Sequence, residues 1–150
     1  MIFGVSTNVL YKQFNFAMTW TGVQGNRIDN QGLFLAATPT ADGNRVKNIA
    51  DFYPKASVTD VHRRTDLFIE DGSYIRMRNI RLDYRLALKA TSFVKAANIY
   101  VSGQNLLTFT KYSGYDPEVN SYSGNDLRQG VDIGAFPAAK SVTLGLSVSF

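Results

Sequence analysis

The chain has 150 residues, and its 16 Lys+Arg against 12 Asp+Glu give a formal net charge of +4. It has no cysteine and one histidine, His62, which excludes a disulfide scaffold, thiolate metal sites and multi-histidine metal sites. No segment approaches the roughly 18 apolar residues of a membrane helix, and residues 1–20 lack the pattern of a signal peptide. These bulk properties alone are typical of one soluble β domain rich in aromatic residues.

A period-two alternation of apolar and polar residues predicts five strands along the chain. They cover Phe3–Tyr11, Phe14–Gly22, Ser73–Arg85, Asn98–Phe109 and Lys140–Phe150. The cleanest pattern is in the last strand, where Val142, Leu144, Leu146, Val148 and Phe150 alternate with serine, threonine and glycine. Arg76 and Arg78 break the third pattern by falling on its apolar side. That break predicts either a bulge or a strand end outside the apolar layer.

The connections between these strands alternate between short and long. Lys12-Gln13 and Ala87–Ala97 are short, whereas Gln24–Gly72 and Lys111–Pro137 are long and polar. Within the first long connection, only Arg45–Phe52 favours a helical turn or two, and we expect these turns to end before Pro54. Long connections of this kind are unusual in a compact soluble domain and indicate a functional or mobile segment.

Three features together favour a transmembrane barrel over a soluble sandwich, which would also show alternation. A tilted strand of about ten residues spans about 23 Å, close to the apolar band of a membrane barrel. The short and long connections alternate, as do the short periplasmic turns and long outer loops of outer-membrane barrels. Aromatic residues lie near strand ends, as in interfacial girdles; examples are Tyr11, Phe14, Trp20, Tyr84 and Phe150.

Five strands cannot close a barrel, because complete barrels of this type have an even strand number and no open edge in lipid. We therefore expect an all-β fold in which residues 1–150 supply about five C-terminal antiparallel strands of a large transmembrane barrel with two long extracellular loops. The preceding strands of such a barrel are expected to lie outside this segment.

Several motifs, in order along the chain, resemble the SusC/RagA type of TonB-dependent transporters. They are Glu70–Ile80 (EDGSYIRMRNI), Ser102–Tyr112 (SGQNLLTFTKY), Gly114–Glu118 (GYDPE) and the ending Gly145–Phe150 (GLSVSF). The resemblance implies a 22-stranded barrel with an internal plug in the bacterial outer membrane. The same resemblance implies that the plug and the N-terminal strands are absent from residues 1–150. It also implies uptake of oligosaccharides or peptides with a SusD-like lipoprotein lid and the TonB-ExbB-ExbD complex.

Candidate site residues fall into three groups. Tyr112, Tyr115, Asp116 and Glu118 in the second outer loop are candidates for ligand contact, although turn formation and loop packing explain them as well. Arg81, Asp83 and Arg85 share the polar strand face and are expected to point into the lumen, where an ion pair with the plug is the preferred interpretation. Leu144, Leu146, Val148 and Phe150 resemble the terminal signal that the barrel-assembly machinery reads.

Other functions receive less support from the sequence. A soluble carbohydrate-binding β-sandwich that stacks sugars on Tyr112, Tyr115 and Tyr122 is the main alternative, and a barrel enzyme or passive porin is a third. The sequence contains no recognisable nucleophile–base pair around His62-Arg63-Arg64 and no phosphate-binding glycine motif. We therefore expect no catalysis, no cofactor, no metal and no nucleic-acid partner, since the positive charge is spread along the chain.

Overall fold

A computed structural model describes residues 1–37, 66–88, 93–121 and 129–150. The chain divides into two compact units, one of residues 1–24, 74–110 and 138–150 and the other of residues 25–73 and 111–137. The strands, numbered in chain order, are β1 (Ile2–Tyr11), β2 (Phe14–Val23), β3 (Arg27–Asn30), β4 (Ile69–Asp71), β5 (Tyr74–Leu86), β6 (Ala96–Thr110), β7 (Val131–Asp132) and β8 (Ser141–Ser149). One helix, α1 (Gln31–Ala37), and a 3-10 turn, Asp66–Phe68, complete the described elements.

The first unit is a five-stranded antiparallel sheet in the order β1-β2-β5-β6-β8. Its strands match the five predicted from the period-two pattern to within one or two residues at most ends. The two-residue turn between β1 and β2 places Lys12 at a φ of 54°, in the left-handed region. Because the strands are antiparallel, both long connections leave the sheet from one end and both short links from the other.

The two faces of this sheet differ in chemistry. Cross-strand neighbours share a face, so the pairs Phe16–Leu82, Leu82–Val101 and Val101–Leu144 form one apolar row. On that apolar face, Leu144 is 77% exposed and remains uncovered within the described residues. The opposite face carries rows such as Ala17, Arg81, Ser102 and Thr143.

Aromatic pairs lie on the apolar face near both ends of the strands. Phe14 and Tyr84 contact each other at the short-turn end, with ring centroids 4.8 Å apart. Trp20 and Phe109 stack at the end from which the long connections leave, with centroids 6.3 Å apart. Three of the aromatic residues predicted near strand ends, Phe14, Trp20 and Tyr84, therefore contact an aromatic ring of another strand.

A β-bulge in β5 explains why Arg76 and Arg78 interrupt the alternation of apolar and polar residues in the sequence. The register with β2 shifts here, because Met77 pairs with Trp20 and Asn79 with Thr19, so Arg78 is an extra residue relative to β2. In the register with β6, the additional residue belongs to β6, between Gln104 and Leu107. Arg78 Nε donates to Thr21 Oγ1 at 2.9 Å, and Arg76 Nε donates to Thr108 Oγ1 at 3.1 Å. Of the two alternatives left open by the sequence, the bulge is the one that the structure shows, and it returns both arginines to the polar face.

The second unit contains elements that the sequence did not predict. Its three-stranded sheet has the order β4-β3-β7, with β3 antiparallel to β4 and parallel to β7. Ile28, Tyr112 and Val119 form its small buried cluster. These strands have only two to four residues, too few for a visible alternation. The helical expectation for Arg45–Phe52 and the His62-Arg63-Arg64 run lie outside the described residues.

Candidate functional site

The candidate ligand residues of the second long connection divide by exposure. Tyr112 is 5% exposed and its hydroxyl donates to Asp132 Oδ2 at 2.5 Å. Burial, and then this hydrogen bond, raise the pKa of the Tyr112 hydroxyl well above its usual range. The ring of Tyr112 therefore packs inside the unit, which is the loop-packing alternative to ligand contact.

Asp116 and Glu118 form a turn around Pro117. Asp116 is 6% exposed, and its Oδ1 accepts a hydrogen bond from the Glu118 N–H at 2.9 Å. This is the Asx turn that the residue types favour. Tyr115, by contrast, is 81% exposed, and Glu118 is also exposed. Tyr115 and Glu118 are thus the two members of the predicted group that face solvent within the part of the chain described.

A polar network that the sequence pattern does not predict is centred on Glu70. Glu70 accepts hydrogen bonds from the Ser113 N–H at 2.8 Å and from its hydroxyl at 2.7 Å. Asn30 Nδ2 donates to the same carboxylate at 2.9 Å, and Asn30 Oδ1 caps α1 by accepting the Leu33 N–H at 2.9 Å. Glu70 opens the first family-like motif, but sequence spacing cannot indicate a partner 43 residues away.

The three predicted lumen-facing residues have different surroundings. Arg81 makes two hydrogen bonds to Asp83, from Nε at 2.9 Å and from Nη2 at 2.7 Å, while Asn98 Nδ2 donates to Asp83 at 2.9 Å. The Arg81 guanidinium also stacks on the Tyr100 ring, 3.9 Å from its centroid. The ring of Tyr100 in turn lies where a side chain at Gly145 would be, so glycine is needed there. Arg81 and Asp83 therefore pair with each other, whereas Arg85 is exposed; a contact with a plug stays a prediction.

The short-turn end of the sheet contains a groove of about 420 Å³. Its charged lining residues are Lys12, Asp83 and Arg85, and Asn98 and the serines of β8 supply further polar groups. Asn15 also lines the groove, and its Oδ1 is buried with no hydrogen-bond partner among residues 1–37, 66–88, 93–121 and 129–150. Because buried polar groups generally have a hydrogen-bond partner, this oxygen favours binding of a group outside the sheet that can donate a hydrogen bond to it.

Three residues of the predicted assembly signal, Leu144, Leu146 and Val148, lie on one face of the edge strand β8. Leu144, Leu146, Val148 and Phe150 retain large exposed fractions. Phe150 follows the end of β8, and its ring contacts Phe93 with centroids 5.4 Å apart. β8 pairs only with β6 in the described sheet, so its other edge offers free backbone groups.

Neither a metal centre nor a membrane-spanning helix is present among the residues that the structure describes. No group of three or more metal-ligating side chains comes together there. No described helix is both long and apolar enough to cross a membrane.

Comparison with known proteins identifies the family. No protein-family model matches the sequence. A TonB-dependent receptor of Formosa agariphila is 31% identical over 167 residues, covering 100% of this chain and 17% of its own length. The chain belongs to the TonB-dependent receptors. SusC of Bacteroides thetaiotaomicron is 28% identical and covers 100% of this chain.

The solved structures support the same fold. The RagAB peptide importer in its closed-closed state matches with a TM-score of 0.75 and 20% identity, covering 99% of this chain and 17% of its own chain. The five-stranded sheet therefore corresponds to strands of a RagA-type barrel, which confirms the predicted fold class. The chain spans about one sixth of these relatives, which is consistent with the predicted carboxy-terminal segment.

Proposed function

We propose that this segment supplies the carboxy-terminal strands of an outer-membrane importer of oligosaccharides or peptides. One observation carries the proposal. The five-stranded sheet has an exposed apolar face, and its opposite face carries charged, hydroxyl and amide groups. Such two-sided strands suit lipid on one side and a polar lumen on the other. The relatives named SusC and the RagAB peptide importer favour transport over the sandwich, enzyme and porin alternatives.

The partners in this proposal follow from the family. Import is energised through the TonB-ExbB-ExbD complex, and a SusD-like lipoprotein covers the outer side. The internal plug lies against the polar sheet face, where Arg85 and the unsatisfied Asn15 acceptor in the groove offer it a charge and a hydrogen-bond acceptor. Leu144, Leu146, Val148 and Phe150 form the terminal signal for the barrel-assembly machinery.

Within the second long connection, Tyr115 and Glu118 are the proposed contacts for ligand or lid. Tyr115 presents an aromatic face, which suits a sugar ring or an apolar peptide side chain. Glu118 presents a carboxylate to hydroxyl or ammonium groups. The buried side chains of Tyr112 and Asp116 hold this segment in place through their hydrogen bonds.

The test is growth of the native host with the receptor gene deleted. We expect loss of growth on at least one member of a panel of oligosaccharides and peptides, with the same loss in a strain lacking TonB. Restoration by the gene carrying Tyr115→Ala should be incomplete at low substrate concentration, whereas Tyr115→Phe should restore growth. Growth that is independent of TonB would favour a passive porin instead.

A further inference from the structure

The second unit is built from two connections that are far apart in sequence. Residues 25–73 supply β3, β4 and α1, whereas residues 111–137 supply β7 and the Tyr112–Glu118 segment. The backbone pairing between them is small, with Asp29 opposite Val131 and Asn30 opposite Asp132. A two-residue parallel pairing is a weak connection by itself. Side chains must therefore contribute much of the attachment.

Glu70 supplies a polar side-chain attachment between the two connections, in addition to the apolar cluster of Ile28 with Tyr112 and Val119. Both of its carboxylate oxygens are used: Oε2 accepts the Ser113 N–H, and Oε1 accepts both the Ser113 hydroxyl and Asn30 Nδ2. Asn30 Nδ2 also reaches Ser113 Oγ at 3.4 Å. Hydrogen bonds to an ionised carboxylate are stronger than those between neutral groups. One acidic side chain of the first connection thus holds the backbone and the side chain of one serine in the second.

The position of Ser113 gives this attachment a consequence for the candidate ligand residues. Ser113 follows the buried Tyr112 and precedes the exposed Tyr115 by two residues. Asn30 is itself 5% exposed and holds the start of α1, so the carboxylate is fixed from the side of the first connection as well. The Tyr115 segment is therefore positioned by residues of the other connection.

We propose that Glu70 is a positioning residue that joins the two long connections into one cooperative folding unit. Local unfolding of one connection is then accompanied by local unfolding of the other. Coupling of this kind is reciprocal: loosening either connection loosens the other. The role of the positioned segment in ligand contact rests on the proposed function, but the coupling itself does not.

Hydrogen exchange of the full receptor in detergent tests the coupling directly. Ser113→Ala removes the hydroxyl donor from the second connection and keeps the backbone bond to Glu70. We expect faster exchange in the first connection, at β3 and β4, as well as around residue 113. Glu70→Ala should give a larger effect, at least about tenfold at β3, β4, β7 and the 111–121 segment.

The matched control is Asp66→Ala, which removes another carboxylate from the first connection at the exposed 3-10 turn. It should leave exchange at β7 and residues 111–121 unchanged. If Ser113→Ala and Glu70→Ala each accelerate exchange only within their own connection, the coupling is absent. That result would leave the growth phenotype of Tyr115→Ala unaffected, so the two proposals fail separately.

Discussion

Tyr112 shows how one residue type can have opposite roles a few positions apart. Its buried hydroxyl donates to Asp132, which also accepts the N–H groups of Gly134 and Ala135. We expect Tyr112→Phe to destabilise the second unit locally by about 1.5–3 kcal/mol, because a carboxylate hydrogen bond is lost in a buried site. The measurement is hydrogen exchange at residues 131–135, with the exposed Tyr115→Phe as the matched control. Equal exchange in both variants would contradict this role.

The same tyrosine makes the unit sensitive to alkaline pH. Because its pKa is raised in the folded state, the neutral hydroxyl is favoured there, and its stabilising contribution is complete below the unfolded pKa of about 10. This contribution is lost as the pH rises above that value towards the folded pKa. Ultraviolet titration of tyrosinate should show one tyrosine that ionises only as the unit opens, and Tyr112→Phe should remove that late step. If the tyrosine whose signal is lost in Tyr112→Phe ionises at the pH of an ordinary exposed tyrosine, the assignment is wrong.

The sequence alone could not separate Tyr112 from Tyr115. Both are tyrosines in a polar, glycine-rich stretch, and both were candidates for stacking on a ligand. What separates them is Asp132, which lies 20 residues further along and reaches Tyr112 through the fold. Burial of a loop residue depends on such distant partners, whereas the local turn at Asp116 could be predicted because it involves only neighbouring residues.

At the scale of elements, the bulge in β5 decides which face each arginine occupies. Because Arg78 is the extra residue relative to β2, deleting it leaves Met77 opposite Trp20 and Arg76 opposite Thr21, on the polar face. Deleting Met77 instead places an arginine opposite Trp20, on the apolar face. If that face lies in lipid, we expect the Met77 deletion to cost about 1–2 kcal/mol and to lower the amount of folded receptor in the outer membrane. The Arg78 deletion shortens β5 by the same one residue and should assemble far better, as judged by heat-modifiable migration on gels. Equal loss in both variants would show that the strand length matters rather than the face that the arginine occupies.

The elements of the sheet and those of the second unit differ in how well the sequence predicts them. β1, β2, β5, β6 and β8 each have nine or more residues, so a period-two pattern is visible along them. β3, β4 and β7 are held by contacts such as Glu70–Ser113 and have no pattern of their own. Even for β5, the pattern indicated a break but could not distinguish a bulge from a strand end, since that depends on the register of both neighbouring strands.

For the whole molecule, composition was misleading because only every second residue of a barrel strand faces lipid. The apolar residues make up 45% of the sequence, an ordinary share for a soluble domain. The alternation, the loop lengths and the strand lengths corrected that impression, and the family relatives confirmed the result. This fold predicts that one face of the sheet contacts lipid and the other contacts a polar lumen, and these two contacts can be measured.

Adjacent positions 143 and 144 of β8 provide that measurement. Thr143 lies in the polar row with Ser102, and Leu144 lies in the apolar row with Val101. These 150 residues contain no cysteine, so spin labels on Thr143→Cys and Leu144→Cys can be compared in a receptor otherwise free of cysteine. In lipid bilayers, we expect the label at 144 to be relaxed mainly by oxygen, which concentrates in lipid, and the label at 143 mainly by a water-soluble nickel chelate. Because the two positions share depth and strand, only the face they occupy distinguishes them. Labels that respond alike to both reagents would contradict a membrane-spanning β8.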